Sequence, residues 1–489
     1  MKIIKIFAAA TFALVLNACE MDQMDQELIN NPFDEAAISL ENIPLHKSFI
    51  IISKSNTLPD GFDEVIASAN GTLVNAIPGI GIARVDSEDP DFMAKVTNIT
   101  GISAVVPNLK SQYIDPNMRS QEFLPAEEET EKSNKGKPRK KSASISDFYF
   151  ALQWGPDAID APEAWEAGYR GDGVKVGVLD TGFDLDHPDL APNISDLSYD
   201  FTGEGLQYSL GDVFSHGTHT AGIIAAAENG FGTIGIAPEA ELVLIKVLYD
   251  EGYGYLFDIL NGIIYAALVD VDVINMSIGS TFEKSGNAED GYSAADAAWY
   301  KNIYERAIAF AYQNGTTVIA SAGNEAIDYD HSADLMHMPS GAAHALSISS
   351  TAPIGWAANP LTNLDMFAST YSNYGQSTID FAAPGGNYAY AFTPGGYDLC
   401  TVGGVTHYCY VFDFVFSTGN GGWYWSVGTS MAAPHAAGVA ALIVEKNGGS
   451  MAPGDVKEAL LDSSDDLGKP GNDDFYGMGR VNALKAVSN

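Results

Sequence analysis

The chain is poor in basic residues, in cysteine and in long apolar runs. Its 489 residues carry 25 Lys and Arg against 63 Asp and Glu, a net charge of −38. So acidic a chain lacks the basic face that nucleic acid selects. Cysteine occurs three times, as Cys19, Cys400 and Cys409. Beyond the N-terminus no stretch is long and apolar enough for a transmembrane helix, and no internal repeat is visible. Hydrophobic residues make up 46% and charged residues 18%, which suits a globular chain of two or three units.

Lys2 and Lys5 precede an apolar run from Ile6 to Leu16, too short to span a bilayer alone. The run ends in Leu16-Asn17-Ala18-Cys19, which resembles a bacterial lipoprotein signal. The resemblance implies removal of residues 1–18, acylation of Cys19 and a lipid anchor in the bacterial cell envelope. An ordinary cleaved secretory signal is the alternative. Residues 19–45 read as an acidic tether. An exported chain sits where disulfides persist, so Cys400 and Cys409 either staple a small loop or remain two thiols.

Residues 46–115 read as strand, helix, hairpin, helix and strand: His46–Ile52, Asp60–Ala69, Thr72–Val85 broken at Pro78-Gly79, Asp89–Asn98 and Gly101–Pro107. That β-α-β-β-α-β order predicts a small ferredoxin-like α+β unit. Residues 116–146 pass from Glu127-Glu128-Glu129 to a basic run ending at Lys141. Such charge blocks stay solvated, so the stretch reads as a linker and as a candidate cutting site. From residue 147 to 489, apolar strands alternate with helices. Val174–Leu179, Leu242–Leu248, Val271–Met276 and Thr317–Ser321 are the strands; Gly217–Ala227, Phe257–Leu268 and Ile303–Gln313 are the helices. Unbroken apolar strands between helices predict a doubly wound, mostly parallel α/β sheet, with active groups at the carboxyl ends of the strands.

Four segments supply the chemistry. Asp180 ends the first apolar strand before Thr181-Gly182. His216 opens a small-residue helix in His216-Gly217-Thr218-His219. Asn324 closes Ser321-Ala322-Gly323-Asn324, and Ser430 stands in Gly428-Thr429-Ser430-Met431-Ala432 at a helix start. A carboxylate, an imidazole, a carboxamide and a hydroxyl are the orienter, general base, oxyanion donor and nucleophile of a serine hydrolase. A helix N-terminus favours a developing oxyanion. His216 and His219, three apart, are a possible metal pair, but no third or fourth ligand follows in a recognisable pattern.

Together with Ala433-Pro434-His435, these segments resemble those of subtilisin-like serine proteases over roughly Trp154 to Ala486. The resemblance implies an endopeptidase with Asp180, His216 and Ser430 as its triad. Its oxyanion donors would be Asn324 and the Ser430 N–H. It implies that residues 46–115 are an inhibitory pro-domain. Gly252-Tyr253-Gly254 resembles the edge strand that pairs with an extended substrate, and Ser277-Ile278-Gly279 the opposite wall. Ser321, Ala322 and Gly323 would line the primary pocket, with Leu256 and Ile259 forming the next one outward. No charged residue marks these walls, so a broad apolar or aromatic preference is expected. Structural Ca²⁺ would be held by Asp189, Asn229 and the carbonyls of Ala227, Phe231 and Thr233, with Asp147 as a further candidate ligand. The expected partners are a protein or peptide substrate, the chain's own pro-domain and a lipid bilayer.

Two stretches exceed the family minimum: Thr281 to Tyr300, and residues 386–425, rich in Gly and aromatics and holding both Cys400 and Cys409. The second reads equally as a lid, an exosite or a packed surface hairpin. A non-catalytic lipoprotein or an esterase on the same fold are the competing readings. The intact catalytic set weighs against the first, and the extended-peptide walls against the second.

Overall fold

The computed structural model describes residues 47–77, 79–114, 120–123, 147–211 and 213–488. The signal segment, Cys19, the acidic tether and the linker apart from Ser120–Phe123 lie outside the described residues.

The N-terminal unit is an antiparallel sheet of β1 (Ser48–Ser53), β2 (Thr72–Ile77), β3 (Ile82–Asp86) and β4 (Ile102–Pro107), in the order β2-β3-β1-β4. Helices Phe62–Ser68 and Phe92–Thr97 cover one face. The central strand β1 reads SFIIIS and is buried throughout. Period-two alternation explains this continuous run. Phe49 and Ile51 pack with Phe62, Ile66, Phe92 and Val96 of the unit's own helices. Ile50 and Ile52 point the other way and pack with Leu260, Ile264 and Ile303 of the larger unit. A strand covered on both faces needs no polar face, and a slip of one residue would exchange its two sets of contacts.

Two short strands follow. β5 (Lys110–Gln112) and β6 (Ser120–Phe123) each join strands far along the chain. Next come β7 (Lys175–Asp180), β8 (Tyr199–Asp200), β9 (Glu241–Lys246), β10 (Tyr253–Tyr255) and β11 (Val273–Met276). β12 (Ser280–Glu283), the pair β13 (Gly286–Asn287) and β14 (Tyr292–Ser293), β15 (Thr317–Ser321), β16 (Leu335–Met338) and β17 (Ala345–Ala352) succeed them. The last are β18 (Met366–Phe367), β19 (Phe381–Pro384), β20 (Leu399–Val402), β21 (Val405–Tyr408), β22 (Val415–Gly419) and β23 (Gly422–Ser426).

The main sheet runs β18-β17-β15-β11-β7-β9-β8, with β19 also on β17. All its pairings are parallel except that of β17 with β18. Side chains alternate between two cores. Val176, Val178, Leu242 and Leu244 meet the helices on one side, while Leu179, Val243 and Ile245 meet those on the other. This is the doubly wound α/β architecture that the apolar strands predict.

Helix boundaries shift by one to three residues at most ends, and by more at one start. The helix expected over Ile303–Gln313 begins at Ala294. Ser293 and Asp296 form a capping box there, which satisfies two helix-end donors. The reading from apolar periodicity starts too late because the first turns are alanine-rich and half-exposed. Cys400 and Cys409 are joined across the β20–β21 hairpin. Val402 and Val405 pack beside Leu152, Phe412 and Trp425, so the β20–β21 hairpin rests on a core cluster. Among the described residues no helix is long and apolar enough to cross a membrane.

Candidate active site

β7 delivers Asp180 at its carboxyl end, fully buried. Ser215 caps the helix His216–Ala225 by accepting the Thr218 N–H, and its hydroxyl donates to Gly182 O at 3.0 Å. One hydroxyl thus ties the start of the His216 helix to the turn after Asp180. His216 Nδ1 lies 2.7 Å from Asp180 Oδ1 and 3.0 Å from Oδ2. With Nδ1–H donating, Nε2 is the free base. Thr181 N–H and Thr220 Oγ1 donate to the same carboxylate at 2.7 and 3.1 Å. Thr220 lies one turn after His216 on the same helix face, a spacing that is present in the sequence but belongs to none of the four chemical segments.

Ser430 is the second residue of helix Thr429–Lys446 and is 5% exposed. Its hydroxyl donates to Ser277 O at 3.1 Å. Among the described residues, the buried Nε2 of His216 has no hydrogen-bond partner. The imidazole nitrogen is therefore uncommitted, and the hydroxyl is turned to Ser277 O. Asn324 Oδ1 accepts from Thr429 N at 2.8 Å and from Thr429 Oγ1 at 3.0 Å. Those two donors assign the carboxamide orientation and leave Nδ2 as the outward-facing donor.

The proposed walls come together as well. β10 forms one edge, with Gly252 at φ 84, in the left-handed region that glycine adopts freely. The chain's own β5 lies antiparallel on it, pairing Tyr253 with Gln112 and Tyr255 with Lys110. Tyr113 and Ile114 N–H both donate to Gly252 O, at 3.0 and 3.1 Å. Leu256 and Ile259 are buried in the cluster that holds Leu109, Tyr113 and Ile114. Ser277 is fixed by Asn275 Nδ2 at 3.0 Å, and Ile278 is buried. Across from them, Gly323 N–H donates to Thr429 Oγ1 at 3.1 Å, and Asn373 Nδ2 donates to Ala322 O at 2.9 Å. Ser321 ends β15.

The expectation of uncharged walls needs correction. His337, on β16, abuts Gly279, and the Glu325 carboxylate stands beside Gly323. His337 lies far in sequence from Gly279, and a lone histidine carries no motif.

His219 turns away from His216. Its Nε2 meets Tyr424 O at 3.0 Å, and burial pushes its pKa down to about 3. It is a buried residue kept neutral, with its Nε2 held by a backbone carbonyl. The loop expected to hold calcium is built differently from a transition-metal site. Among the described residues no three His, Cys, Asp or Glu side chains cluster as a metal site. Asp147 Oδ1 accepts the N–H groups of Asn229, Gly230 and Phe231. Asp189 Oδ2 accepts from Thr233 N–H, Thr233 Oγ1 and the Trp423 indole, while Ala227 N–H donates to Asp189 O. Asn229 Oδ1 accepts from Phe231 N–H. Asp147 Oδ2 and Asp189 Oδ1 are buried without a partner. Burial raises both pKa values. Two orphaned carboxylate oxygens beside one loop fit a hard, oxygen-liking cation, so the residues present suit calcium.

A family model described as the subtilase family matches residues 171–479. The chain is 31% identical to thermitase of Thermoactinomyces vulgaris over 342 residues, 70% of this chain and 97% of that protein. It is 36% identical to an intracellular serine protease of Paenibacillus polymyxa, over 59% of this chain and 72% of that protein. The crystal structure of an epidermin leader peptide processing serine protease from Staphylococcus aureus shares the fold, with a TM-score of 0.69 at 21% identity. That likeness spans 90% of this chain and 97% of the other.

Proposed function

Since the chain belongs to the subtilase family and is a serine endopeptidase, we propose that Ser430 is its nucleophile, His216 its base and Asp180 the group that orients the base. The observation that carries this is the paired contact of His216 Nδ1 with both Asp180 oxygens, at 2.7 and 3.0 Å. In the reaction, the Ser430 hydroxyl leaves Ser277 O, hydrogen-bonds to His216 Nε2 and attacks the scissile carbonyl. Nε2 takes the proton, and buried Asp180 stabilises the imidazolium. Asn324 Nδ2 and the Ser430 N–H receive the oxyanion. In subtilisin, of the same family, loss of the side-chain oxyanion donor costs on the order of 10²–10³ in turnover. His216 then protonates the departing amine, and water releases the acyl group by the same steps in reverse.

Peptide substrate adds a strand to β10 and faces Ser277-Ile278-Gly279 on the other side, because main-chain pairing presents an extended bond to the nucleophile. Ser321, Ala322 and Gly323 flank the first side chain; Leu256 and Ile259 receive one farther out. The chain is made as an inhibited precursor. In support, Lys110–Gln112 already lie along the β10 edge that a substrate requires. Ser120–Phe123 likewise lie along β23, which leads into Ser430. Residues 46–115 are the inhibiting segment, covering helices Leu256–Leu268 and Ala294–Gln313 through Ile50 and Ile52. Ca²⁺, held by Asp189, Asn229 and carbonyls of the 227–233 loop, fixes that loop by neutralising the buried carboxylates. Acylation of Cys19 anchors the exported precursor in the bacterial envelope, and cutting in the 116–146 linker parts the protease unit from that anchor.

The test is processing of the full-length chain. Ser430→Ala is expected to accumulate unprocessed precursor and to lack peptide hydrolysis. Retained peptide hydrolysis in that variant would contradict the assignment. Cys19→Ser is expected to leave the membrane fraction; continued pelleting would refute the lipid anchor.

A further inference from the structure

Gly279 and Gly323 each belong to one of the two walls that flank the first substrate side chain, and both face the same imidazole. A Cβ built on Gly279 would meet His337 Nε2 at 2.5 Å, with Cε1 nearer still. A Cβ built on Gly323 would meet the same Nε2 at 2.9 Å. The ring therefore stands against both glycines, where a side chain lying between the two proposed walls would meet it. It is held there. His337 is 3% exposed, its Nδ1 lies 2.7 Å from Ser340 Oγ, and its strand β16 pairs with β12, which continues from Gly279. Burial lowers its pKa, so it fills the slot as a neutral ring. Glu325 adds a carboxylate beside Gly323, fixed by Asn373 Nδ2 at 2.6 Å.

We infer that His337 is a specificity-determining residue that shortens the primary pocket, so that this enzyme cleaves after small, uncharged side chains and rejects aromatic ones. The inference rests on the proposed walls. An aromatic ring needs the depth that the imidazole already fills, and forcing it in costs overpacking energy. The Glu325 carboxylate further disfavours an acidic side chain, which would bring like charges together. This inverts the apolar or aromatic preference expected from the wall residues alone.

The test is a set of internally quenched peptides differing only in the residue before the cut, incubated with the full-length, self-processed chain. The expected result is kcat/KM at least tenfold higher for Ala than for Phe or Tyr. In His337→Gly the Phe-to-Ala ratio should rise at least tenfold. A wild-type preference for Phe or Tyr overturns the inference, as does an unchanged ratio in a folded His337→Gly enzyme. Should that variant not fold, the wild-type ratio decides alone. No cleavage of any peptide would instead strike at the catalytic assignment, so the two failures are distinct.

Discussion

Ser277 and Ser430 exchange hydrogen bonds: the Ser277 hydroxyl donates to Ser430 O at 2.7 Å, and the Ser430 hydroxyl donates to Ser277 O at 3.1 Å. One side of the substrate cleft is thereby fastened to the first turn of the helix that carries the nucleophile. Ser277→Ala removes the first bond and leaves Asn275 Nδ2 without its acceptor. The expected cost is about 1 kcal/mol of stability, read as a lower midpoint in denaturant. A fall in kcat/KM of several-fold should accompany it as the wall loosens. Unchanged values for both would show that the pair does not position anything.

Arg306 reaches from helix Ala294–Gln313 into the N-terminal unit, where Nη1 donates to Ser53 O at 3.0 Å and Ile80 O at 3.4 Å. These are the carbonyls that end β1 and precede β3. Arg306→Ala should weaken the hold of residues 46–115 on the protease unit. The expected outcome is earlier appearance of activity in a time course of freshly made full-length chain. An unaltered or longer lag would contradict a holding role.

Calcium should matter through Asp147 and Asp189, whose inner oxygens lack partners. Chelator treatment is expected to lower the melting temperature of the wild-type chain, and added Ca²⁺ to restore it. A ligand present at about 100 times its dissociation constant stabilises by about 2.7 kcal/mol. Asp189→Asn should melt lower and respond little to chelator. A wild-type melting temperature indifferent to both treatments would dismiss the cation.

Asp413 gives a pH-dependent signature. Burial pushes its pKa up to about 7, while Gly355 and Trp356 N–H groups at 2.7 and 2.8 Å partly oppose the rise. Its unfolded value is near 3.8. A group raised on folding contributes stability below its unfolded pKa, and that contribution is lost as pH rises through the folded value. Asp413→Asn cannot ionise. The melting temperature of the variant should therefore gain on that of wild type as pH goes from 4 to 8. A difference constant across that range would contradict the assignment.

The legible parts of this protein were those in which sequence spacing and local chemistry coincide. Asp180 ends an apolar strand, His216 opens a helix of small residues and Ser430 stands at the start of another, so each could be placed by its own neighbours. The β1 run was legible as a strand over His46–Ile52, though its double coverage was not, because Ile50 and Ile52 meet helices more than 200 residues away. Distance along the chain likewise hid His337, whereas Glu325 directly follows Asn324 and was passed over because it lies one residue beyond that segment. Asn373, which fixes both Ala322 O and Glu325 by side-chain bonds, was invisible for the same reason. Side chains recruited by tertiary pairing, here by β12 with β16, leave no local periodicity to read.

The chemistry is proposed to rest on one hydroxyl, and covalent trapping reports on it without passing through substrate choice. The processed enzyme is treated with a fluorophosphonate, digested and mapped by mass spectrometry. The expected result is a single phosphonyl adduct on Ser430, with peptide hydrolysis lost in proportion to labelling. An adduct on another residue, or undiminished hydrolysis once Ser430 is fully labelled, would refute the role given to Ser430.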